Sequence, residues 1–341
     1  MPKILITGSA GFIGAYVVGE FLNAGWDVVG IDNFSKYGEL RPAYSDHPRY
    51  RFVRGDAKDV DLLKSLLLDC DHFLAAAAMI GGIAYFHALA FDLLAENERI
   101  TAAAFEAAIS AHARGSLQKV TVLSSSMVFE NATEFPTPEG AERRSPPPSS
   151  TYGFQKLATE YFAQGAFQQY ALPYTIVRPF NCVGIGERRA LADHEVMSGN
   201  IKLALSHVVP DLAQKILKGQ DPLHLLGDGS QVRHYTYGGD LARGIRVCVE
   251  HPQALNDDFN ISTATPTTVL ELAEAIWKKV HGASKPFHYV SDAPFPHDVA
   301  FRSPSVEKSK RLLGFEAATT LDEILDEVLP WIAEQIKLGT I

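Results

Sequence analysis

The chain has 341 residues, 46% of them hydrophobic and 21% charged, which supports a sizeable core and excludes a disordered chain. A net charge of −9 argues against a nucleic-acid-binding surface. The three cysteines (Cys70, Cys182, Cys248) lie far apart, with neither metal-ligand spacing nor an even disulfide framework, so a reducing, cytoplasmic setting is expected.

Lys3–Thr7 is an apolar run suited to a buried parallel strand, and its start at residue 3 leaves no room for a leader peptide. Gly8, Gly11 and Gly14 follow in a Gly-x-x-Gly-x-x-Gly spacing. A side chain at Gly8 or Gly11 would hold a phosphate off the backbone, and Gly14 lets the next helix press on the sheet. Ile13, Val17, Phe21 and Leu22 form one helical stripe, Gly25 suits the helix end, residues 28–31 make a second strand, and Asp32 closes it. A helix N-terminus behind such a turn offers N–H groups and the positive end of a dipole to a pyrophosphate. An acid at the second strand's end accepts hydrogen bonds from both ribose hydroxyls and repels a 2′-phosphate, which selects NAD over NADP. This order predicts an α/β chain with a Rossmann-type doubly wound parallel sheet.

The alternation continues. Residues 50–53 read as a third strand; Asp56 behind it either hydrogen-bonds an adenine amino group or caps a helix over 60–68. Residues 72–76 read as a fourth strand. Small residues at 75–78, too few to span a membrane, let a flat cofactor lie close, and 79–83 reads as a loop over the site. A long helix is expected over 91–113, with Asn97 in it as a buried amide, a water link or an exposed residue. Lys119–Leu123 is a fifth strand, followed by Ser124-Ser125-Ser126-Met127-Val128-Phe129 and a proline-rich loop that stiffens the approach to a helix beginning near Ser150. Residues 174–177 form a sixth strand, Arg178-Pro179-Phe180-Asn181 follows, and another helix covers Val208–Leu217. The dinucleotide-binding domain is therefore expected over 1–181, rejoined by about 231–262. Residues 182–230 and 263–341 then make a smaller mixed α/β substrate-binding lobe.

Tyr152 and Lys156, four apart, share one helix face. A tyrosine has a pKa of about 10; a neighbouring ammonium, with an oxidised nicotinamide, lowers it. Tyrosine can then take a proton from a sugar hydroxyl while hydride leaves for NAD, and Ser125, after the fifth strand, can hold the same oxygen.

TGSAGFIG at 7–14, SSSMVF at 124–129, YGFQK at 152–156, RPFN at 178–181, GDGSQVRHYTY at 227–237 and LLGF at 312–315 carry a resemblance that runs nearly end to end. The chain resembles the extended short-chain dehydrogenases/reductases of the NAD-dependent nucleotide-sugar epimerase/dehydratase family (UDP-glucose 4-epimerase-like). The resemblance implies Ser125, Tyr152 and Lys156 as catalytic residues, with Tyr152 the acid/base and Lys156 a ribose ligand and pKa tuner. Expected NAD contacts are Gly8, Gly11, Phe12, Ile13, Gly14, Asp32, Asn33, Asp56, Ala75, Tyr152 and Lys156. Expected substrate contacts are Ser126, Met127, Asn181, Val209, Arg233 and Arg302; for Asn181, Arg233 and Arg302 the implied partner is the sugar-nucleotide diphosphate. No metal is expected. Relatives dimerise through the helix pair at 91–113 and 152–170, so a homodimer is implied.

Departures from the family bear on the reaction. Dehydrating relatives carry an Asp-Glu pair after the catalytic hydroxyl and decarboxylating ones a Glu before the valine. The 3,5-epimerases and GDP-fucose synthases carry a Cys at the position of Met127. Neither Ser126 nor Met127 can move a proton, so hydride chemistry remains. The expected reaction is C4 epimerisation of an NDP-hexose or NDP-hexuronate through a transient 4-keto sugar. Residues 79–83 and 206–210 resemble segments of GDP-fucose synthases, which keeps two alternatives open: an NAD(P)-dependent reductase/dehydrogenase, or a C3/C5-type epimerase of a keto-sugar nucleotide. A non-catalytic NAD-sensing regulatory protein would not need Ser125, Tyr152 and Lys156 together. His194 and His207 are each read as a second acid/base or as structural. Cys182 lies near the site or simply packs, and Arg188-Arg189 receives a uronate or is a solvated pair. Tyr237-Gly238-Gly239-Asp240 departs from the usual Tyr-Val-Asp-Asp for no reason visible in the sequence.

Overall fold

A computed structural model describes residues 1–80, 89–188, 196–198, 201–203, 207–294 and 299–341. The first half alternates strands and helices except between β2 and β3: β1 (Lys3–Thr7), α1 (Phe12–Asn23), β2 (Asp27–Asp32), β3 (Tyr50–Arg54), α2 (Val60–Leu66), β4 (His72–Ala75), α3 (Ala90–Ala113), β5 (Lys119–Leu123), α4 (Thr151–Tyr170) and β6 (Tyr174–Pro179). Shorter pieces follow: β7 (Cys182–Val183), β8 (Val196–Ser198), β9 (Ile201–Leu203), α5 (Val208–Leu217), β10 (Leu223–Leu226), β11 (Val232–Arg233) and β12 (Thr236–Tyr237). Then come α6 (Gly238–Glu250), β13 (Asp257–Ile261), β14 (Thr267–Thr268), α7 (Val269–His281), β15 (Tyr289–Asp292), α8 (Glu307–Leu313) and α9 (Leu321–Leu338).

Seven strands form one parallel sheet in the order β13-β6-β5-β4-β1-β2-β3. The winding reverses between β1 and β4, and in an open α/β sheet ligands bind outside the strand C-termini at such a switch point. The strands near it are buried nearly throughout, as a sheet covered on both faces requires. On one face Leu5, Val29, Phe73 and Val120 pack against Leu63 of α2, Ala104 and Ala107 of α3, and Ala163 of α4. On the other, Ile4, Ile6 and Val28 pack against Val17 and Phe21 of α1 and Leu241 and Ile245 of α6. A third cluster joins α5, α7 and α9 through Leu212, Trp277 and Val328.

The helix after β3 is not capped by Asp56. Its N-cap is Asp59, which accepts from Leu62 N at 3.0 Å, because a capping carboxylate must reach a backbone N–H two or three residues ahead. The α-helix ends at Leu66 and closes in a 3₁₀ turn, Leu67–Asp69.

The structure also explains the two glycines after Tyr237. A Cβ at Gly238 would lie 2.7 Å from Cε2 of Tyr16, and one at Gly239 would lie 2.5 Å from Cε1 of Tyr237. Tyr16 is held in place: its hydroxyl accepts from Ile185 N at 2.8 Å, and its ring packs edge-on against Phe12 and Tyr237. Gly238 is thus the counterpart of a tyrosine at position 16, and Gly239 makes room for the ring of Tyr237. Gly238→Ala is expected to cost about 1–3 kcal/mol as an overpacked site. Urea unfolding of Gly238→Ala, Tyr16→Ser and the pair should show favourable coupling in the double variant. Simple additivity would refute the steric explanation.

Candidate active site

β1 delivers the chain into a turn at Gly8, where φ is +73° and the N–H bonds Ile31 O at 2.9 Å. A Cβ at Gly8 would stand 3.1 Å from Ala77 Cα, and one at Gly14 only 2.0 Å from the Gly8 carbonyl oxygen. α1, which starts with Phe12 and Ile13, has Gly11 as N-cap, no side-chain cap and no acid in its first turn. Its opening N–H groups therefore have no competing side chain. Asp32 Oδ2 accepts from Ala10 N at 3.1 Å and Oδ1 from Phe34 N at 2.8 Å. Beside it, Asn33 Nδ2 donates to Asp56 Oδ2 at 3.3 Å, and Asp56 Oδ1 accepts from Lys58 N at 2.9 Å. Where β4 ends at Ala75, Thr7 Oγ1 accepts from Ala76 N and Ala77 N, both at 3.0 Å. Asn97 is buried; it accepts from Met79 N at 2.7 Å and donates to Met79 O at 2.9 Å. It is the buried amide of the sequence reading, neither exposed nor a water link, and it clamps the segment leaving β4. Residues 81–83 of the expected loop lie outside the described residues.

Ser125 caps the short turn Ser126–Phe129, its Oγ accepting from Met127 N at 3.2 Å. α4 starts at Ser150, which accepts from Gly153 N at 3.0 Å and donates through Oγ to Glu130 Oε2 at 2.9 Å. Gly153 permits close approach, since a Cβ there would lie 2.7 Å from both Met127 O and Pro148 Cβ. The first turn of α4 carries Tyr152, 4% exposed, to a side-chain hydrogen bond with Ser125. Lys156 Nζ lies 5.9 Å from the Tyr152 ring centroid and donates to Leu123 O at 2.9 Å.

Burial raises the Tyr152 hydroxyl and the Ser125 bond and the charge of Arg302 lower it, with burial winning, so that it stands at about 12. Burial pushes Lys156 down to about 8, opposed by Glu160. The sequence reading assigns the lowering of Tyr152 to Lys156 together with an oxidised nicotinamide. In the structure the Lys156 ammonium donates to the Leu123 carbonyl oxygen, and the charge of Arg302 also favours the phenolate. Backbone pairing brings it there: Arg302 N donates to Val232 O at 3.1 Å, and Phe301 bridges Val232.

Met127 packs with Leu93, Ile80 and Tyr152, an apolar wall beside the phenol, with Ser126 buried next to it. Asn181 takes φ +35°, and its Oδ1 is buried with no hydrogen-bond partner among the described residues. Arg233 Nη1 donates to Val232 O at 2.8 Å and Ala300 O at 3.4 Å. Val209 is 1% exposed inside the α5–α7–α9 cluster, so its side chain serves packing rather than a ligand. His207 Nδ1 pairs with Glu187. Burial and the charge of Glu187 push the Cys182 thiol well up, so it stays protonated and offers no base at neutral pH. Arg188 is half-buried: it donates to Gln335 Oε1 at 3.0 Å and lies over the Trp331 ring. His194 and Arg189 lie outside the described residues. Among the described residues no cluster of His, Cys, Asp or Glu is placed to hold a metal, and no helix is long and apolar enough to cross a membrane.

A doubly wound sheet with a glycine turn, a strand-end acid, a serine after the fifth strand and a Tyr–Lys pair at a helix start bonded to it defines an extended short-chain dehydrogenase/reductase. The chain belongs to the NAD dependent epimerase/dehydratase family, whose model matches residues 4–262. It is 26% identical over 348 residues to a protein of Bacillus subtilis described as "Uncharacterized UDP-glucose epimerase YtcB", with 97% of this chain and 98% of that one covered. It is also 26% identical over 338 residues to a UDP-N-acetyl-alpha-D-glucosaminuronate decarboxylase of Bacillus cytotoxicus, with 97% and 98% covered. The UDP-glucose 4-epimerase of Thermotoga maritima, solved with UDP-glucose, superposes with a TM-score of 0.80 at 26% identity, over 98% of this chain and 99% of that one. The family's cofactor is NAD. A turn with no room for side chains, an uncapped helix end and the Asp32 carboxylate fit it.

Proposed function

We propose that the protein is a nucleotide-sugar 4-epimerase acting on an NDP-hexose or NDP-hexuronate and retaining its NAD. The observation that carries this reading is the buried Ser125–Tyr152 hydrogen bond, with Lys156 one turn on and an apolar wall where a second acid/base would stand. Tyr152 takes the proton of the sugar hydroxyl and later returns it; Ser125 holds that oxygen; Arg302 and Ser125 favour the phenolate. NAD, when bound, takes up and gives back the hydride. Gly8, Gly11, Phe12, Ile13 and Gly14 receive its pyrophosphate, and Asp32 with Asn33 and Asp56 receive the adenosine end. Lys156 turns from the Leu123 carbonyl to the nicotinamide ribose. Asn181, with its unused acceptor, and Arg233 contact the substrate. In this reading 1–181 with 231–262 hold the cofactor, and 182–230 with 263–341 hold the nucleotide sugar.

The test starts from purified protein. Denaturation should release NAD, identified by mass. A panel of UDP-, GDP-, CDP- and dTDP-sugars, offered without added cofactor, should include one that is converted into its C4 epimer. Turnover only while NADH or NADPH is supplied and consumed would replace the epimerase by a reductase.

We also propose a homodimer through α3 and α4. Phe91, Phe154, Tyr161, Phe162, Phe167 and Tyr170 are exposed on these two helices, and Phe154 and Tyr161, seven residues apart, share one face of α4. Light scattering should give twice the 37.3 kDa chain, and Tyr161→Glu should halve that mass. A native monomer would contradict the dimer.

A further inference from the structure

Glu160 stands on α4 one turn beyond Lys156 and is 1% exposed. Its Oε1 accepts from Ser124 Oγ at 2.5 Å and from Arg178 Nε at 2.7 Å; its Oε2 accepts from Arg178 Nη2 at 2.6 Å. One carboxylate therefore meets three segments: the end of β5 just before Ser125, α4 just after Lys156, and β6 just before Asn181. Arg178 is fully buried; it also pairs with Asp258, and Glu142 lies 3.5 Å from its Nη2. Lys308 closes the chain of charges on Asp258 at 3.0 Å and Asp257 at 2.6 Å. A buried ionic network of this kind adds little stability over apolar packing of the same volume, so stability alone does not account for it.

We propose that Glu160 is a positioning residue of the active site, fixing the relative placement of Ser125, Lys156 and Asn181 and serving as the counter-charge of Lys156. This rests on the proposed chemistry, in which Lys156 works as a cation. On α4 itself Lys156 has Tyr152 one turn before it and the equally buried Glu160 one turn after it, on the same helix face, and from β5 it meets the Leu123 carbonyl. The groups lining the cavity beside it, Thr7, Asn97, Thr101, Gln155 and Thr159, are uncharged. Glu160 in turn is faced by Ser124 from β5 and by Arg178 and Tyr174 from β6, with Glu142 and Asp258 reaching it through Arg178. A buried ammonium loses its proton readily unless an anion faces it. Glu160 is that anion: it opposes the burial that brings Lys156 down to about 8.

The test uses the full chain carrying lysine labelled with ¹³C at Cε, with the Lys156 signal assigned through Lys156→Arg. Glu160→Gln keeps the shape and the acceptor for Ser124 and removes the charge. It should lower the Lys156 titration midpoint by about one pH unit or more. Glu142→Gln, which touches Arg178 but not Lys156, should leave it in place. An unchanged midpoint in Glu160→Gln overturns the proposal. If that variant does not fold, Glu160→Gln/Arg178→Gln, which removes both charges of the pair, carries the test. Its midpoint should still fall, because Glu160 stands one turn from Lys156 on the same helix face while Arg178 comes from β6; an unchanged value again overturns the proposal. The pH profile of kcat/KM on a converted nucleotide sugar should move in the same direction. A native protein inert toward every nucleotide sugar would sink the epimerase reading, while the titration would still decide the role of Glu160.

Discussion

Tyr152→Phe should leave NAD bound and the fold intact while turnover falls by about 10²- to 10⁴-fold, the usual worth of a positioned general acid/base. The side chain is buried and its ring packs against Met127 and Leu93, so the phenyl group keeps that packing. What disappears is the hydroxyl bonded to Ser125, at a cost of about 1 kcal/mol of stability. The cofactor cradle at Gly8–Gly14 lies on a different element and should not notice. Denaturing the variant and measuring the released dinucleotide separates the two effects. Near-native turnover would remove Tyr152 from the chemistry. Loss of both NAD and turnover would mean a structural role instead. Two neighbours matter for its ionisation: Ser125 and Arg302 oppose the burial that raises the Tyr152 hydroxyl. Arg302→Met should therefore move the pH dependence of turnover upward, because a phenol that is harder to ionise needs a higher pH to act as base.

The second large effect is expected at Gly14. A Cβ there would sit 2.0 Å from the Gly8 carbonyl oxygen and 3.1 Å from Ser9 Cα, contacts with backbone that no side-chain rotation relieves. Gly14→Ala must push α1 away from the turn, and with it the N–H groups offered to the pyrophosphate. Loss of retained NAD and destabilisation of about 1–3 kcal/mol or more should follow. Gly19 is the control on the same helix. Nothing lies within 4 Å of a Cβ placed there, so Gly19→Ala should keep NAD and stabilise by about 0.5–1 kcal/mol through helix propensity. Thermal unfolding with mass analysis of the released cofactor reads both. Equal behaviour of the two variants would mean that the close approach at Gly14 does not matter.

The doubly wound sheet was legible because its signals are local. Lys3–Thr7, the glycine turn and the second strand sit in one stretch, and each strand of the first half is a short apolar run between turn residues. The Tyr152–Lys156 pair was legible for the same reason, since a spacing of four fixes a shared helix face. What the sequence did not reveal depends on contacts between distant segments. The charge of Arg302 acts on Tyr152 across 150 residues of sequence, and it is β11 that pairs with the stretch carrying Arg302. Glu160 shows no motif by itself; its meaning appears when β5 and β6 bring Ser124 and Arg178 to it. Gly238 looked arbitrary until Tyr16, on the first helix, was seen to occupy its side-chain space, and Gly239 until the ring of Tyr237 was seen to occupy its own. Val209 fell into an apolar cluster because a buried helix face and a ligand-facing one look alike in sequence.

That this site exchanges only hydroxyl protons with water is tested most directly by turnover in deuterium oxide. The nucleotide sugar converted in the panel would be incubated with the NAD-loaded protein, and product and recovered substrate analysed by mass and proton resonance. No deuterium on any sugar carbon and no net NADH are expected, since Ser126 and Met127 supply no base for a carbon-bound proton. Deuterium on a carbon beside the keto position would contradict the 4-epimerase account and place a second acid/base in the site.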